Sequence, residues 1–335
     1  MLQTGKVPEK VLARSIIRQI KTNRDEILVG AAIGEDCAAI SLSDDEVFVI
    51  STDPITGATH DIGVLSVHVT ANDIASSGAE VIGIMLSILL PENTEEEELK
   101  DLMRQVTDEC DKLHIQIIGG HTEVTPVVNV PVITSTGIGK VKKDRLVTTS
   151  GAKPGDDVVV TKWIGLEGTS IIAKEDRSSL IKRFSPSFVD RAAAFGDLLS
   201  VVSDARIAVS VGVSAMHDVT EGGIFGALWE MAQSSGCGLE IDLSEIPVKQ
   251  ETVEICEEYG INPYGLISSG SMLIAAPNGL DVVRALKQEG INAAVIGKIT
   301  KGNDRIVVSG DEKRFLTPPA TDELYKYRRN AEGRK

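Results

Sequence analysis

The sequence predicts an α+β protein made of two domains of similar length. The chain has 335 residues, which is enough for two domains. Strand-like and helix-like segments alternate in both halves, as they do in layered α+β folds. Around residues 148–156, the stretch "TTSGAKPGDD" concentrates turn-forming residues. We therefore expect one domain over 1–150 and a second over 151–335.

The first half alternates apolar strands with helices. Residues 46–52 (EVFVIST) and 81–90 (VIGIMLSILL) are apolar runs that predict buried strands. Residues 61–79 place small and apolar side chains on one helical face, and 95–113 repeat this pattern more clearly. A further strand is expected to lead into "GGHTEV" (119–124), and the β-type run "VNVPVITSTGIGKV" follows it.

The second half has the same mixed character. A strand is predicted over 156–162, and helical segments follow to about residue 203. Four later apolar segments predict further strands, namely LEIDL, MLIAAP, AAVIGKI and RIVVS. The sequence contains no short-period repeat and no low-complexity tract, so we expect two α+β domains rather than a repeat protein.

Composition excludes several classes of function. The formal charge of −15 argues against general affinity for nucleic acid or anionic membranes, but it permits nucleotide binding through Mg²⁺. The four cysteines are widely spaced and form no CxxC pair, which favours a reducing compartment over a zinc site or a disulfide framework. No run reaches the roughly 18–20 apolar residues of a membrane span. We expect a cytoplasmic protein.

Acidic residues occur at the predicted ends of separate strands and helices, and small residues surround them. The candidates are Asp36 in "AAIGEDCAAIS", Asp53 in "STDPITG", Asn72 and Asp73 in "TANDIASSGAE", and Asp218 before "VTEGGIFGAL". Each one alone is compatible with an ordinary cap or turn. Together they are the kind of ligand set that a Mg²⁺–polyphosphate site uses, because Mg²⁺ takes few protein oxygens and shares those of its substrate.

Two pairs of glycines accompany these acids. Gly119 and Gly120 are expected at a strand end, where a pair of glycines usually means a turn. Beyond Asp218, Thr220 is a candidate N-cap, and Gly222 and Gly223 would leave backbone N–H groups exposed at the start of a helix. Such groups attract phosphate, so this helix start is a candidate anion site.

Five motifs occur in a fixed order along the chain: GEDCAAI, STDPITG, TANDIASSGAE, GGHTEV and MHDVTEGGIFGAL. The pattern resembles the superfamily of aminoimidazole ribonucleotide (AIR) synthase. Other members of that superfamily are thiamine-monophosphate kinase, selenophosphate synthetase and the hydrogenase-maturation factor HypE. The resemblance covers residues from about 30 to 310. The stretches around Asp218 and "NPYGLISSGSMLIAAP" are most similar to the C-terminal half of HypE.

The resemblance implies an AIR synthase-like protomer with an N-terminal α/β domain, whose β-barrel core forms the homodimer, and a C-terminal α+β domain. It also implies ATP bound with Mg²⁺ near the dimer interface. The implied metal ligands are Asp36, Asp53, Asp73 and Asp218, and the implied catalytic residues are Asp73, His121 and Asp218. The implied nucleotide contacts are Gly34, Asp36, Asp53, Asn72, Asp73, Gly119, Gly120, His121, Thr122, Glu123, Gly222 and Gly223.

The chain also departs from the families that it resembles. HypE dehydrates a carbamoyl group that is carried on a C-terminal cysteine, whereas no cysteine follows Cys256 here. His121 replaces a commonly acidic residue of HypE, although selenophosphate synthetase has histidine there. The AIR synthase loop "DGVGTK" is replaced by "DPITG", and the thiamine-monophosphate kinase motif "DISDG" by "DVTEGG". The usual N-terminal cysteine or selenocysteine of selenophosphate synthetase is missing.

Two hypotheses of function follow. The first is an ATP-dependent enzyme that phosphorylates an amide- or carbamoyl-type oxygen, in maturation of a hydrogenase-type metalloenzyme. The second is a nucleotide-binding assembly factor that binds a maturation partner protein without the carrier reaction. A small-molecule kinase or synthetase of the same superfamily is a further alternative. The acids at all four implied metal positions favour the first hypothesis.

Overall fold

The computed structural model describes residues 27–29, 32–35, 38–41, 45–56, 61–318 and 321–332. They form two compact units. The N-terminal unit contains the described residues of 24–30 and 36–146, and the C-terminal unit contains those of 31–35 and 147–335. Each unit combines helices with one mixed sheet, so the predicted two-domain α+β class is confirmed.

The N-terminal unit has a six-stranded sheet with the order β1-β2-β3-β6-β4-β5. The strands are β1 (Ile27–Val29), β2 (Ala38–Ser41), β3 (Glu46–Ile55), β4 (Glu80–Leu90), β5 (Gln116–Val124) and β6 (Val132–Lys142). Neighbouring strands are antiparallel except for β4 and β5. The helices are α1 (Ile62–Ser76) and α2 (Glu96–Leu113), which confirms the predictions at 61–79 and 95–113.

Two glycines of β6 allow helix α1 to lie close to the sheet. A Cβ atom at Gly137 would lie 2.5 Å from Thr70 Cγ2, and one at Gly139 would lie 2.3 Å from Ile74 Cγ2. These separations are far below van der Waals contact, so any larger residue would push the helix away. The β-type run VNVPVITSTGIGKV (128–141) forms β6 from Val132 onwards, and it also contains the two glycines against which the helix packs.

Helix α2 covers the outer side of α1 and follows the amphipathic pattern read from the sequence. Leu102, Val106 and Cys110 are buried at a spacing of four residues. Glu95 and Glu98 form a reciprocal capping box at its first turn, where the Glu95 N–H donates to Glu98 Oε2 at 2.7 Å. The acidic run at this point is therefore a helix start.

The two faces of the N-terminal sheet differ in what covers them. Alternate residues of β4, such as Ile84 and Leu86, are buried on the side of α1. On the opposite side, Phe48 and Met85 are 36% and 43% exposed. We call this side the open face and define it by Phe48, Thr52, Met85, Ser87 and the residue paired with Ser87, His121.

The C-terminal unit has a seven-stranded sheet with the order β13-β12-β9-β11-β7-β10-β8. The strands are β7 (Asp157–Thr161), β8 (Ala215–Asp218), β9 (Gly238–Asp242), β10 (Met272–Ala276), β11 (Ala293–Thr300), β12 (Arg305–Ser309) and β13 (Glu312–Phe315). Only the β9–β12 pair is parallel among the pairs described. These strands include the segments LEIDL, MLIAAP, AAVIGKI and RIVVS, so those predictions are confirmed.

Eight α-helices of this unit are described around that sheet. They are α3 (Leu166–Glu175), α4 (Arg177–Leu180), α5 (Pro186–Ala193), α6 (Val202–Val211), α7 (Gly223–Ser235), α8 (Gln250–Tyr259), α9 (Gly279–Gln288) and α10 (Glu323–Glu332). One buried core joins α7 to the sheet through Ile224, Leu228 and Met231. A second joins α3 to α5, α8 and α10. In the described ranges, no helix has the length and apolarity needed to cross a lipid bilayer.

We predict that Gly120→Ala lowers the free energy of unfolding by about 2 kcal/mol, because the new Cβ would overlap the β4 backbone. A Cβ atom at this position would lie 2.1 Å from the Leu86 carbonyl oxygen. Gly119→Ala is the matched control: its φ of 157° is close to the 153° of Gly120, but its nearest atom is 3.8 Å away. Urea denaturation of both variants tests this. Equal losses of stability would contradict the steric explanation.

Candidate functional site

The structure brings two of the predicted acids together in the N-terminal unit. Asp73 lies on α1 and is 5% exposed, and Asp53 lies on β3. Between them is Ser51, whose hydroxyl donates to Asp73 Oδ2 in a short hydrogen bond and lies 3.3 Å from Asp53 Oδ2. A single hydroxyl proton is shared by two carboxylates. We call these three residues the carboxylate pair and its bridging serine.

Strand periodicity and close helix packing produce this arrangement. Ser51 and Asp53 are two residues apart on β3 and share the face that α1 covers. Asn72, next to Asp73, is fully buried on α1. The expectation that Asp53 ends its strand is wrong, since β3 continues to Ile55 and pairs Asp53 with Ser135 of β6.

His121 lies on the other side of the same sheet. His121 of β5 pairs with Ser87 of β4. Asp53 of β3 pairs with Ser135 of β6, and Ser135 pairs in turn with Leu86 of β4. Leu86 and Ser87 are consecutive in β4, so their side chains point to opposite faces. The N-terminal unit therefore does not bring His121 together with Asp53 and Asp73, contrary to the grouping expected from the motifs.

The segment "GGHTEV" is also different from the expected turn. Gly119, Gly120, Thr122 and Glu123 all lie inside the edge strand β5. His121 Nε2 is 3.5 Å from Glu123 Oε2, with side chains 68% and 54% exposed. The glycine at 120 is explained by its close approach to β4, and the polar side chains beyond it are accessible along the strand.

In the C-terminal unit, Asp218 is the last residue of the edge strand β8 and is 1% exposed. Its neighbour His217 is equally buried, with Nε2 3.0 Å from Glu230 Oε2 on α7. Asp218 belongs to a different unit from the carboxylate pair. Among the residues that the structure describes, no group of three or more His, Cys, Asp or Glu side chains is arranged to hold a metal ion.

The glycine-rich helix start is already occupied by an anion from the chain itself. Gly222, not Thr220, is the N-cap of α7. The Gly222 N–H donates to Asp322 Oδ2 at 2.7 Å, and the Gly223 N–H donates to the Thr220 carbonyl at 3.0 Å. Burial raises the pKa of Asp322 to about 7, although backbone hydrogen bonds oppose the shift. The expectation that these two N–H groups are available to phosphate is therefore wrong.

Gly34 belongs to the C-terminal unit, where its φ of 78° and a backbone contact require glycine. A Cβ atom there would lie 3.0 Å from the Glu230 carbonyl oxygen. The next residue, Glu35, accepts hydrogen bonds through Oε1 from the Ser150 N–H and the Ser234 hydroxyl, both at 3.3 Å. Asp36, the first predicted metal ligand, lies outside the described residues.

Sequence reasoning missed two residues that this geometry makes important. Ser51 could have been found, because period-two alternation places it beside Asp53 on one strand face. Asp322 could not, since it is 100 residues from its partner Gly222 and no local pattern joins them.

Two family models match the chain, one in each half. Residues 34–141 match "AIR synthase related protein, N-terminal domain", and residues 153–309 match "AIR synthase related protein, C-terminal domain". The two-domain α+β fold and these matches define the class, an AIR synthase-related protein.

Two relatives show which family of AIR synthase-related proteins contains this chain. A Methanocaldococcus jannaschii protein named for hydrogenase expression and formation is 28% identical over 313 residues, 91% of each chain. Carbamoyl dehydratase HypE of Rhodobacter capsulatus is 30% identical over 278 residues, which cover 81% of this chain and 78% of that protein. The chain therefore belongs to the HypE family of AIR synthase-related proteins.

Solved structures agree on the fold. HypE in a HypE–HypF complex superimposes with a TM-score of 0.76 at 22% identity, covering 92% of this chain and 99% of that one. HypE in complex with ATP gives a TM-score of 0.72 at 20% identity, covering 97% and 98%. At these identities the likeness establishes the fold of the chain.

Proposed function

We propose that this chain is an ATP-dependent enzyme that activates an amide- or carbamoyl-type oxygen by phosphoryl transfer, in the maturation of a metalloenzyme. Membership of the HypE family and the ATP-bound HypE structure support this proposal. The observation in this chain that carries it is the carboxylate pair of the half-buried Asp53 and the buried Asp73, bridged by Ser51.

The carboxylate pair fits a magnesium ion. Two carboxylates near one hydroxyl repel each other unless a cation or proton lies close to them. Their oxygens are hard donors of the kind Mg²⁺ prefers, and Mg²⁺ fills its remaining positions with water and phosphate oxygens. Asp53 and Asp73 would hold the ion, and Ser51 would position them. Asp36 and Asp218 stay proposed contributors, and the bound ion would offset negative charge on the phosphates.

In the proposed reaction, the acceptor's carbonyl oxygen attacks the γ-phosphorus of ATP. The new O–P bond forms as the bond to the bridging oxygen breaks, and ADP leaves with that electron pair. With a carbamoyl acceptor, loss of the N–H protons and departure of phosphate would then leave a nitrile. Such chemistry depends mainly on positioning and on charge stabilisation, which a rigid pair of carboxylates on packed elements can supply.

A partner protein is part of the proposal. This chain is similar to HypE in a solved HypE–HypF complex, and this similarity supports a maturation partner for it. The alternative function, a nucleotide-binding assembly factor, predicts partner binding without turnover. A cytoplasmic location stays a prediction from the sequence.

The open face supports a homodimer in which the N-terminal sheets meet. Phe48 and Met85 are exposed there, and the apolar residues Ile118 and Val124 of edge strand β5 are 47% and 57% exposed. A sheet with an apolar exposed face usually buries it against another layer. A second copy on this face would also surround His121 with protein.

For this homodimer, light scattering should give twice the chain mass of 35.7 kDa at micromolar concentration. Met85→Glu places a charge on the open face and should shift the protein towards monomer. Leu280→Glu is the control, because Leu280 is 55% exposed on α9 of the C-terminal unit. A monomeric wild-type protein, or equal behaviour of the two variants, would count against this interface.

We predict that ATP stabilises the protein only together with a divalent metal, because the acids would repel triphosphate alone. At about a hundred times its dissociation constant, Mg·ATP should add about 2.7 kcal/mol to the free energy of unfolding. A thermal-shift assay would therefore show a higher Tm with Mg·ATP and little change with ATP plus EDTA. Equal shifts under both conditions would refute metal-dependent binding.

We predict that Asp73→Asn lowers nucleotide turnover roughly 10²-fold or more, since it keeps the shape but removes charge opposite the metal. Glu123→Gln, on the exposed edge strand, should cost about tenfold or less. ADP release at saturating Mg·ATP measures both, with circular dichroism to show that each variant is folded. Near-normal turnover in Asp73→Asn together with loss in Glu123→Gln would show that the assignment is wrong.

A further inference from the structure

The C-terminal sheet ends on one side at the edge strand β13 (Glu312–Phe315). Among the described strands it pairs only with β12, and a two-residue turn at Gly310 and Asp311 connects the two strands. All four residues of β13 are exposed. An edge strand presents backbone groups to which another strand can bind, so the chemistry of this edge decides what it can pair with.

The register of the hairpin shows which backbone groups of β13 point away from the sheet. The Leu316 N–H donates to the Arg305 carbonyl at 2.7 Å, and the pairs between β12 and β13 continue that register. In an antiparallel ladder, hydrogen-bonded pairs alternate with pairs that are not bonded to each other. Arg314 is therefore bonded to β12, whereas the N–H and C=O groups of Lys313 and Phe315 point outwards. No further described strand pairs with them.

The two faces of β13 present different side chains. On one face, Phe315 pairs with Ile306 and is 68% exposed. On the other face, Arg314 pairs with the buried Val307 and lies on the side of α7, where its guanidinium carbon is 6.0 Å from the centre of the Phe225 ring. A strand added to this edge would therefore have an aromatic ring to cover on one face and a guanidinium group beside it on the other.

The local charge indicates which strand is suitable. Residues 298–314 carry five cationic side chains and three acidic ones, in a chain whose formal charge is −15. Lys313 is paired with Glu240 at 2.8 Å, whereas Arg314 forms no ion pair within the described part of the chain. An acidic strand from a different protein would supply the missing carboxylate. A second copy of this chain would bring the same cations and its own net negative charge, so it is less suitable.

We propose that β13 is the docking edge for an extended, acidic segment of a partner protein. The segment joins the sheet as an antiparallel strand, and its backbone bonds to the outward groups of Lys313 and Phe315. Its side chains alternate, so that apolar ones cover the Phe315 ring and acidic ones pair with Arg314. Docking at this edge requires neither ATP nor the carboxylate pair, so a failure of either proposal leaves the other in place.

Two peptides of opposite charge test the preference for an acidic strand. The probe is acetyl-TVEVEVT-amide, in which apolar and acidic residues alternate as the two faces of β13 require. The control is acetyl-TVKVKVT-amide, which has the same pattern and the opposite charge. The wild-type protein should bind the acidic peptide about fivefold more tightly, since one exposed ion pair is replaced by repulsion. Titration followed by ligand-observed NMR measures both affinities, and equal affinities or no binding of the acidic peptide would overturn the proposal.

N-methylation separates strand addition from charge attraction alone. In the antiparallel arrangement, the valine N–H groups of the acidic peptide donate to β13 and the glutamate N–H groups point away from it. Methylating the central valine nitrogen should therefore lower the affinity about tenfold, because a backbone hydrogen bond is lost. Methylating a glutamate nitrogen should change the affinity little. Equal losses from the two modifications would overturn the proposed mode of binding.

Variants of the protein locate the binding edge. Arg314→Glu should reverse the preference, so that the lysine peptide binds more tightly, and a reversed preference cannot result from unfolding. Lys287→Glu is the matched control: it makes the same change of charge at an exposed residue of α9, and it should keep the wild-type preference. An unchanged preference in Arg314→Glu would overturn the proposal. A lower mass of this variant in light scattering, without peptide binding to the wild type, would assign the edge to a second copy and also overturn it.

Discussion

The close approach of α1 to the N-terminal sheet is the constraint on which the candidate site depends. Gly137 and Gly139 of β6 leave room for Thr70 and Ile74, and the helix sits against the strands without an intervening layer of side chains. Asp73 follows Thr70 by three residues on the same helix, so this packing also brings its carboxylate to Ser51. If the helix were further from the sheet by the thickness of one side chain, the Asp73 carboxylate could not reach the hydroxyl of Ser51 on β3.

Three buried acids of this chain show different solutions to the same electrostatic problem. Asp322 accepts several backbone N–H groups and is satisfied within the protein. Asp73 shares a serine hydroxyl with a second acid, which leaves excess negative charge that a cation can balance. Glu167 is stabilised by hydrogen bonds from the side chain and backbone of Ser269, and burial raises its pKa to about 6. The arrangements of Asp322 and Glu167 are structural, whereas the carboxylate pair leaves capacity for binding a cation.

Much of the fold could be predicted from the sequence, because the period of apolar residues reports burial directly. The runs at 46–52 and 95–113 gave the correct type of element for this reason. Motif order also identified the AIR synthase-related superfamily. The side of the sheet on which His121 lies depends on strand pairing across β4, β5 and β6, which local pattern does not encode. Likewise, the N–H groups of Gly222 and Gly223 were predicted to be available to phosphate, because the hydrogen-bond partner of Gly222, Asp322, is 100 residues away in the sequence.

The placement of residues 32–35 has a consequence for the order in which the chain folds. The ribosome synthesises these residues early, but Glu35 contacts Ser150 and Ser234. They therefore belong to the C-terminal unit, whose other residues are synthesised only after the N-terminal unit. On a ribosome, the N-terminal sheet can pair its last strand once Lys142 has emerged. Residues 32–35 can dock onto α7 only after α7 has been synthesised. This contact closes a loop of about 200 residues, so we expect the docking to be late and slow. A protein fragment that begins after the first domain would lack a piece of the second, and its contacts would have to be supplied in trans.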